Sequence, residues 1–507
     1  MAAPSLDVLG EERVLYLVAH AVSHLPGMLN IYSRTSRYTR FACLPMLFAS
    51  VRLPTHGLRE APPPSIRHLA RRLTYYPSAL ECDRFGWELD FFPSLESIRF
   101  YADPGYCPVS PVSWMAIKTC ITRPNISSIS FVCCFPVLII GVAAEETMSR
   151  TALTNLACIP YVWRDVLCRL DRRDVSSEHM QEEQSLALLV PPMSRLARQL
   201  DLPLETAPLR QMAIHPWSAL RELRFCGRFL SLEHMGSLPM MLEDLPNRLP
   251  SLTHLTLLTC PLAGSGRSPV LGRLSSRVQH HQFRSLTLAY PDPDDAICSM
   301  QAPYLRHLSL RDWPRYYYPI RFPDAYLPSM GYPIHSSSEC LSILRRMEVS
   351  TALEKLEVVY EADNSEDDLL RHITSAYPNL RAIELHRYRS EEDTVVPYEK
   401  IALQLSSVKW LQSIRLNLDF PETTRPFCNS AEDILRWTDL FLQVGTKMMT
   451  LLHAACPMLV ALEMLRQSSN NAVWAKFYPT GEPSLYSKEL ELDGEWPPFS
   501  PPLIRWT

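Results

Sequence analysis

The chain has 507 residues, 47% of them apolar, with a formal net charge of −4 and a pI near 6.4. This is ample material for packed cores, and the charge balance lacks the basic footprint expected of a nucleic-acid binder. Glycine is scarce at 15 residues, and neither G-x-x-x-x-G-K-[ST] nor G-x-G-x-x-G occurs, which excludes the usual phosphate-cradling loops.

Residues Leu6 to Leu53 read as three short helices. The first lies near Glu11 to His24, with Val14, Leu15, Val18, Val22 and Leu25 at helical spacing. Pro26-Gly27 breaks it. The second covers about Met28 to Arg34. The third covers about Arg37 to Val51, with Phe41, Leu44, Leu47 and Phe48 apolar. A proline-rich stretch at Pro62-Pro63-Pro64 follows, then S-I-R-H-L-A-R-R-L-T from Ser65 to Thr74.

Beyond this point apolar triplets recur at first, fourth and sixth spacing. They begin at Leu95/Ile98/Phe100 and Ile126/Ile129/Phe131, and resume at Leu220/Leu223/Phe225, Leu252/Leu255/Leu257, Phe283/Leu286/Leu288 and Leu305/Leu308/Leu310. Four more follow at Leu353/Leu356/Val358, Leu380/Ile383/Leu385, Leu411/Ile414/Leu416 and Leu459/Leu462/Met464. The triplet alone is weak, since chance gives on the order of 20 hits in a chain of this length. The flanks decide. Six windows carry proline two residues before the first apolar position, at Pro93, Pro124, Pro250, Pro303, Pro378 and Pro457. With 44 prolines in the chain, chance predicts about one. Proline turns the residue before it away from helical backbone, so a helix ends and a strand can start.

Leu252 to Leu262, L-T-H-L-T-L-L-T-C-P-L, matches the leucine-rich-repeat pattern L-x-x-L-x-L-x-x-N/C-x-L throughout. Several windows repeat at roughly 30 residues, long enough for a helix in each unit. Amphipathic stretches at Asp367–Tyr377 and Ser430–Ala455 supply two of them, with Ser365/Asp368 and Ser430/Asp433 as candidate caps. The expectation is an α/β chain whose irregular leucine-rich-repeat solenoid keeps parallel strands inside and helices outside. Residues 136–216 carry no marked window and leave two alternatives open, unmarked repeats or a helical insertion.

The run H-L-P-G-M-L-N-I-Y-S-R-T-S-R-Y-T-R-F-A-C-L-P-M-L-F-A-S-V-R-L resembles the second half of an F-box. Ser36-Arg37, Phe41 and L-P-M-L-F-A-S-V from Leu44 to Val51 carry the likeness. At the position where members open with Leu-Pro, this chain has Leu9-Gly10. P-S-L-T-H-L-T-L and C-P-M-L-V-A-L-E-M resemble the degenerate repeats that follow the F-box in fungal proteins of this class. The resemblance implies an F-box-like helical segment at 1–54, a linker helix and first repeat or cap at 55–90, the repeat solenoid at 91–490 and a proline-rich tail at 491–507. It implies a substrate receptor of a Skp–cullin–F-box ubiquitin ligase, cytoplasmic or nuclear. Leu25, Leu29, Ile31, Phe41, Leu44, Leu47 and Phe48 would then build or support the docking face for a Skp-family adaptor, and through it a cullin–RING ligase. The alternative is a leucine-rich-repeat scaffold with no ubiquitin link, its N-terminal helices a cap.

Residues between the leucines point to the face opposite them, and these are candidates for holding a target protein. They include Glu222, Arg224, His254, Thr256, His307, Arg311, Glu384, His386 and Arg415. The stretch Asp312–Pro333 adds Trp313 and Tyr317, in a segment rich in aromatics and arginine of the kind that dominates interfaces.

Catalysis finds little support. His280-His281 would point to opposite faces of an extended chain. The carboxylates at Glu361, Asp363, Glu366, Asp367 and Asp368 lack calcium-loop spacing. The 14 cysteines form no C-x-x-C pair, which suits reduced, buried thiols. The most apolar stretch, Ile129–Ala144, is shorter than the ~18–20 residues of a membrane helix and is interrupted by Pro136 and Gly141. No catalytic, cofactor or metal site, no nucleic acid and no membrane association is expected.

Overall fold

A computed structural model describes residues 6–23, 27–53, 62–76, 85, 88–102, 110–132, 134–137, 151–159, 176–262, 264–267, 269–272, 282–313, 315–316, 333–349, 352–390, 394–423, 430–467 and 472–484. The chain divides into two compact units, Met1–Pro208 and Leu209–Thr507. Both are α/β, and their sheets are mostly parallel.

The first unit opens with helices α1 (Leu6–Ser23), α2 (Met28–Ser33) and α3 (Arg37–Leu47). Gly27 separates the first two with a positive φ of 74°, a conformation that favours glycine. Ser36 begins α3 with a reciprocal cap. Its Oγ accepts from the Thr39 N–H at 3.1 Å, and its own N–H donates to Thr39 Oγ1 at 2.9 Å. The third helix is shorter than its apolar pattern suggested. It stops at Leu47, and Ser50–Leu53 is strand β1, with Val51 and Leu53 buried. The alternation of Val51 and Leu53 pairs with a neighbouring strand instead of continuing the helical face.

Strands β2 (Arg72–Tyr75), β3 (Ser97–Tyr101), β5 (Ser128–Val132), β7 (Asn155–Ile159) and β8 (Gln199–Pro203) continue from β1 in parallel order. β4 (Ser110–Ser113) and β6 (Cys134–Val137) form a separate parallel pair. Helices α4 (Trp114–Ile121) and α5 (Ser176–Leu189) lie between strands in sequence. Phe100 and Phe131 stack at 5.4 Å between ring centroids inside this unit.

The second unit holds β9 (Glu222–Arg228), β10 (His254–Cys260), β11 (Ser285–Ala289), β13 (His307–Arg311), β15 (Lys355–Glu361), β16 (Ala382–Tyr388), β17 (Ser413–Asn417) and β18 (Ala461–Gln467), all parallel. β19 (Ala472–Phe477) closes the row antiparallel to β18, and β12 (Gln301–Ala302) pairs separately with β14 (Glu348–Val349). Short helices α6 (Leu209–Met212), α7 (Leu232–Leu242) and α8 (Leu245–Arg248) precede α9 (Ser337–Arg346), α10 (Glu366–Ala376), α11 (Tyr398–Leu405) and α12 (Ala431–Ala455).

The register explains the triplets. Leu223, Leu255, Leu286, Leu308, Leu356, Ile383, Ile414 and Leu462 face one another strand to strand, and all are buried. Phe225, Leu257, Leu288, Leu310, Val358, Leu385, Leu416 and Met464 form the parallel column two residues on. A slip of one residue would expose both columns, so the leucine spacing fixes pairing. All ten windows read from the sequence are strands. Nine other described strands carry no marked window: β1, β2, β7 and β8 of the parallel row, the antiparallel β19, and the pairs β4 with β6 and β12 with β14. Within residues 136–216 the described part holds both strands, β7 and β8, and the helix α5.

Helix caps follow the sequence in part. Ser430 Oγ accepts from the Asp433 N–H at 3.3 Å, as its spacing implied. Ser365 makes no side-chain cap; its N–H donates to Asp363 Oδ1 at 2.7 Å instead. Ser336 and Glu339 form a reciprocal capping box on α9, a capped start beyond the two candidates that the spacing implied.

Candidate interaction surfaces

The N-terminal helices α1, α2 and α3 pack on one another, yet they leave large apolar side chains in solvent. Ile31 is 60% exposed, and Tyr38 and Phe41 are each 74% exposed. On α1, Val14, Leu17 and Val18 are also exposed. Tyr38 and Phe41 share a face by their three-residue spacing, as do Val14, Leu17 and Val18. Of the anticipated docking residues, Ile31 and Phe41 are surface groups. Leu29, Leu44, Leu47 and Phe48 are half-buried, and so can support the face from beneath. Leu25 lies outside the described residues. Cys43 and Thr39, on the inward side of α3, are buried.

The face opposite the leucines in the second unit is built from the intervening strand positions. Two residues into each strand, Arg224, Thr256, Thr287, Ser309, Glu357, Glu384, Arg415 and Glu463 align across the sheet. From Ser309 onward this row is an ion-pair network. Glu357 accepts from Ser309 Oγ at 2.6 Å and meets Arg315 at 2.7 Å and Arg311 at 3.7 Å. Glu384 meets Arg315 at 3.3 Å, Arg415 at 3.7 Å and His386 Nε2 at 2.8 Å. Arg415 pairs with Glu463 at 2.7 Å, and Lys476 reaches the same carboxylate at 3.3 Å.

Asp312 holds Arg315 and Tyr316 against this network. It is fully buried and accepts from the Tyr316 N–H, the Tyr388 hydroxyl and the Arg315 guanidinium at 2.7, 3.0 and 3.0 Å. Tyr316 and Ile334 pack on Val359, Tyr388, Leu465 and Trp474, an apolar cluster on the otherwise polar face. Burial pulls the Glu357 carboxyl upward, but Arg311, Arg315, His386 and Ser309 outweigh it and hold it well below the ordinary carboxylate range. Glu384 is held low in the same way, with burial and Glu357 opposing and His386 and Arg315 prevailing.

Glu357, Glu384 and His386 bring ligand atoms within 4.8 Å of one another. Four carboxylates here already face four cations: Asp312, Glu357, Glu384 and Glu463 against Arg311, Arg315, Arg415 and Lys476. A divalent ion would leave a buried excess of positive charge. The cluster therefore reads as a structural network.

These placements correct part of the anticipated target face. His386 is fully buried, with Trp474 edge-on to its ring at 5.8 Å, and Trp313 is 3% exposed. Neither can meet a partner. Arg311, Glu384 and Arg415 are engaged within the chain. Glu222 is exposed, while Arg224, His254, Thr256 and His307 are half-buried and remain accessible in part. Tyr317, His280 and His281 lie outside the described residues. The alternation rule gave the correct face for each strand residue. It could not show that Trp474 of β19, with Arg315 and Tyr316, packs over the C-terminal part of that face.

The nine described cysteines are all buried, and burial pushes the Cys298 thiol up to about 12. Among the described residues no helix is long and apolar enough to cross a membrane. No protein-family model matches the chain, and no curated protein matches it.

Proposed function

We propose that the chain is a substrate receptor of a Skp–cullin–F-box ubiquitin ligase, with no catalysis of its own. The observation that carries this reading is the exposed apolar face of the N-terminal helices, Ile31, Tyr38 and Phe41 together with Val14, Leu17 and Val18. A helical cap whose role was to shield the sheet would turn these side chains inward. A patch of this kind on a folded surface marks a protein–protein contact. The F-box resemblance at Ser36-Arg37, Phe41 and Leu44–Val51 assigns that contact to a Skp-family adaptor.

The parallel, in-register strands and intervening helices support the second half of the reading, a leucine-rich-repeat solenoid that holds a target. In this arrangement the receptor acts by proximity. It raises the effective concentration of a target lysine near the conjugating enzyme.

Co-expression with a Skp-family adaptor should give a stoichiometric complex on gel filtration. Ile31→Asp with Phe41→Asp should abolish it while leaving the far-ultraviolet circular dichroism unchanged, because both side chains lie in solvent. A well-folded chain that ignores the adaptor would overturn the receptor reading and leave the scaffold alternative.

A further inference from the structure

The residue just ahead of each strand in the second unit occupies a row of its own. Its backbone N–H donates to the carbonyl of the equivalent residue on the preceding strand. Thr253 donates to Arg221, Arg284 to Thr253, Arg306 to Arg284, Glu354 to Arg306 and Arg381 to Glu354, at 2.8–2.9 Å. Gln412 and Val460 extend the ladder at 2.7 and 3.2 Å. The row is thus held in register across the N-terminal ends of the strands.

Its composition runs against that of the chain. Arg221, Arg284, Arg306 and Arg381 are exposed, with Glu354 the single carboxylate among them, 3.8 Å from Arg306. No described carboxylate pairs with Arg221, Arg284 or Arg381. One position further on, Lys355 and Glu222 are exposed, and His254 and His307 are half-buried. Burial and then Lys355 lower the His307 pKa, with His254 and Arg306 acting in the same direction and Glu354 against them. Positive charge therefore gathers here in a protein whose net charge is −4.

Two further observations give this edge shape and direction. A cleft of about 250 Å³ opens among Arg306, Ala352, Glu354, Asn379 and Arg381, so two guanidiniums line one recess. Beyond Arg381 the same edge turns apolar, with Trp410 60%, Met458 51% and Val460 69% exposed.

We infer that this edge binds an extended acidic peptide segment of the target, its carboxylates on Arg221, Arg284, Arg306 and Arg381 and an adjoining apolar residue over Trp410 and Val460. The inference rests on the proposed reading of the sheet as a target-holding surface. At about 4.8 Å per strand, β9 to β16 spans about 24 Å and β9 to β18 about 34 Å, which an extended chain covers with about seven and ten residues. Nucleic acid fits less well, because its regular phosphates would need cations along the whole length.

The test is fluorescence anisotropy with the full chain and a labelled poly-glutamate peptide of about ten residues ending in Leu-Phe. Binding should weaken as salt rises. Arg306→Glu with Arg381→Glu should weaken it by about tenfold or more. Arg221→Gln with Arg284→Gln, on other strands, should weaken it less. Circular dichroism checks that each variant is folded. Equal binding of the glutamine-substituted peptide, no loss in either double variant, or preferential capture of an oligothymidylate would overturn the inference. Adaptor binding of the same variants separates the two readings. An intact adaptor complex without peptide binding sinks only this inference, and peptide binding without an adaptor complex sinks only the ligase assignment.

Discussion

Glu357→Gln is the most informative single change in the second unit. The amide keeps the shape and can still accept from Ser309, but it removes one of four negative charges from a network whose arginines are nearly buried. Arg311 and Arg315 side chains are 10% and 15% exposed. At an effective dielectric constant of about 20, a charge pair about 4 Å apart is worth about 4 kcal/mol before desolvation. Losing one partner of such a buried pair costs about 3–5 kcal/mol, because the other charge stays behind unpaired. The loss should be local. Hydrogen exchange of the β15 and β16 amides should accelerate by roughly two to four powers of ten at neutral pH. The effect also has a sign in pH. Glu357 titrates below its ordinary range in the folded chain, so its contribution is complete above the unfolded carboxylate pKa and is lost as pH falls through the folded value. Wild type should therefore lose protection in acid, whereas the glutamine variant should respond less. A change below about 1 kcal/mol would place the network among screened surface pairs and refute the reasoning.

Two other perturbations test the packing. His335 is buried, its Nε2–H donating to the Pro291 carbonyl at 2.6 Å, and burial with Arg267 holds its pKa down to about 4. The unfolded chain then binds the extra proton first, so stability is complete above about pH 6.5 and falls between there and pH 4, by on the order of 3 kcal/mol. Urea midpoints of wild type and His335→Gln should diverge in that window, and parallel curves would contradict it. Gly445 on α12 faces the Phe477 ring, and an added Cβ would overlap it. Gly445→Ala should lower the thermal midpoint, since overpacking costs about 1–3 kcal/mol against a helix-propensity gain of about 1. Phe477→Leu in the same chain should cost less than the sum of the two single changes; strict additivity would exclude the clash.

The strands of the parallel row that the sequence concealed were hidden for two physical reasons. β2 and β8 begin from Ala70 and Ala197, which are fully buried but too small to register as large apolar positions. β7 ends its triplet on Cys158, again a small buried residue. β1 follows directly on a helix, and its two inward residues blend into the helical pattern of Phe41 to Phe48. At Ala70, Ala197 and Cys158 the inward position is held by a small buried residue, so a search for large apolar side chains passes over it. The ion-pair network was legible only as alternating polar positions. Its partners Asp312, Arg315 and Lys476 come from outside the repeat register, so no spacing rule linked them.

The arginine row was visible in the windows all along, as Leu220-Arg221, Phe283-Arg284, Leu305-Arg306 and Leu380-Arg381. The alternation rule does not reach it, because this row lies one step before the alternating strand positions. That location separates its chemistry from stability. Each member is fixed through its backbone and exposes its side chain, so packing places no demand on residue type. Arg284 and Arg306 lie on adjacent strands, and like charges within 10 Å in water repel by about 0.4 kcal/mol. A repulsion that the fold does not require, repeated along one edge beside an exposed Trp410, is the pattern of a surface shaped by something it binds.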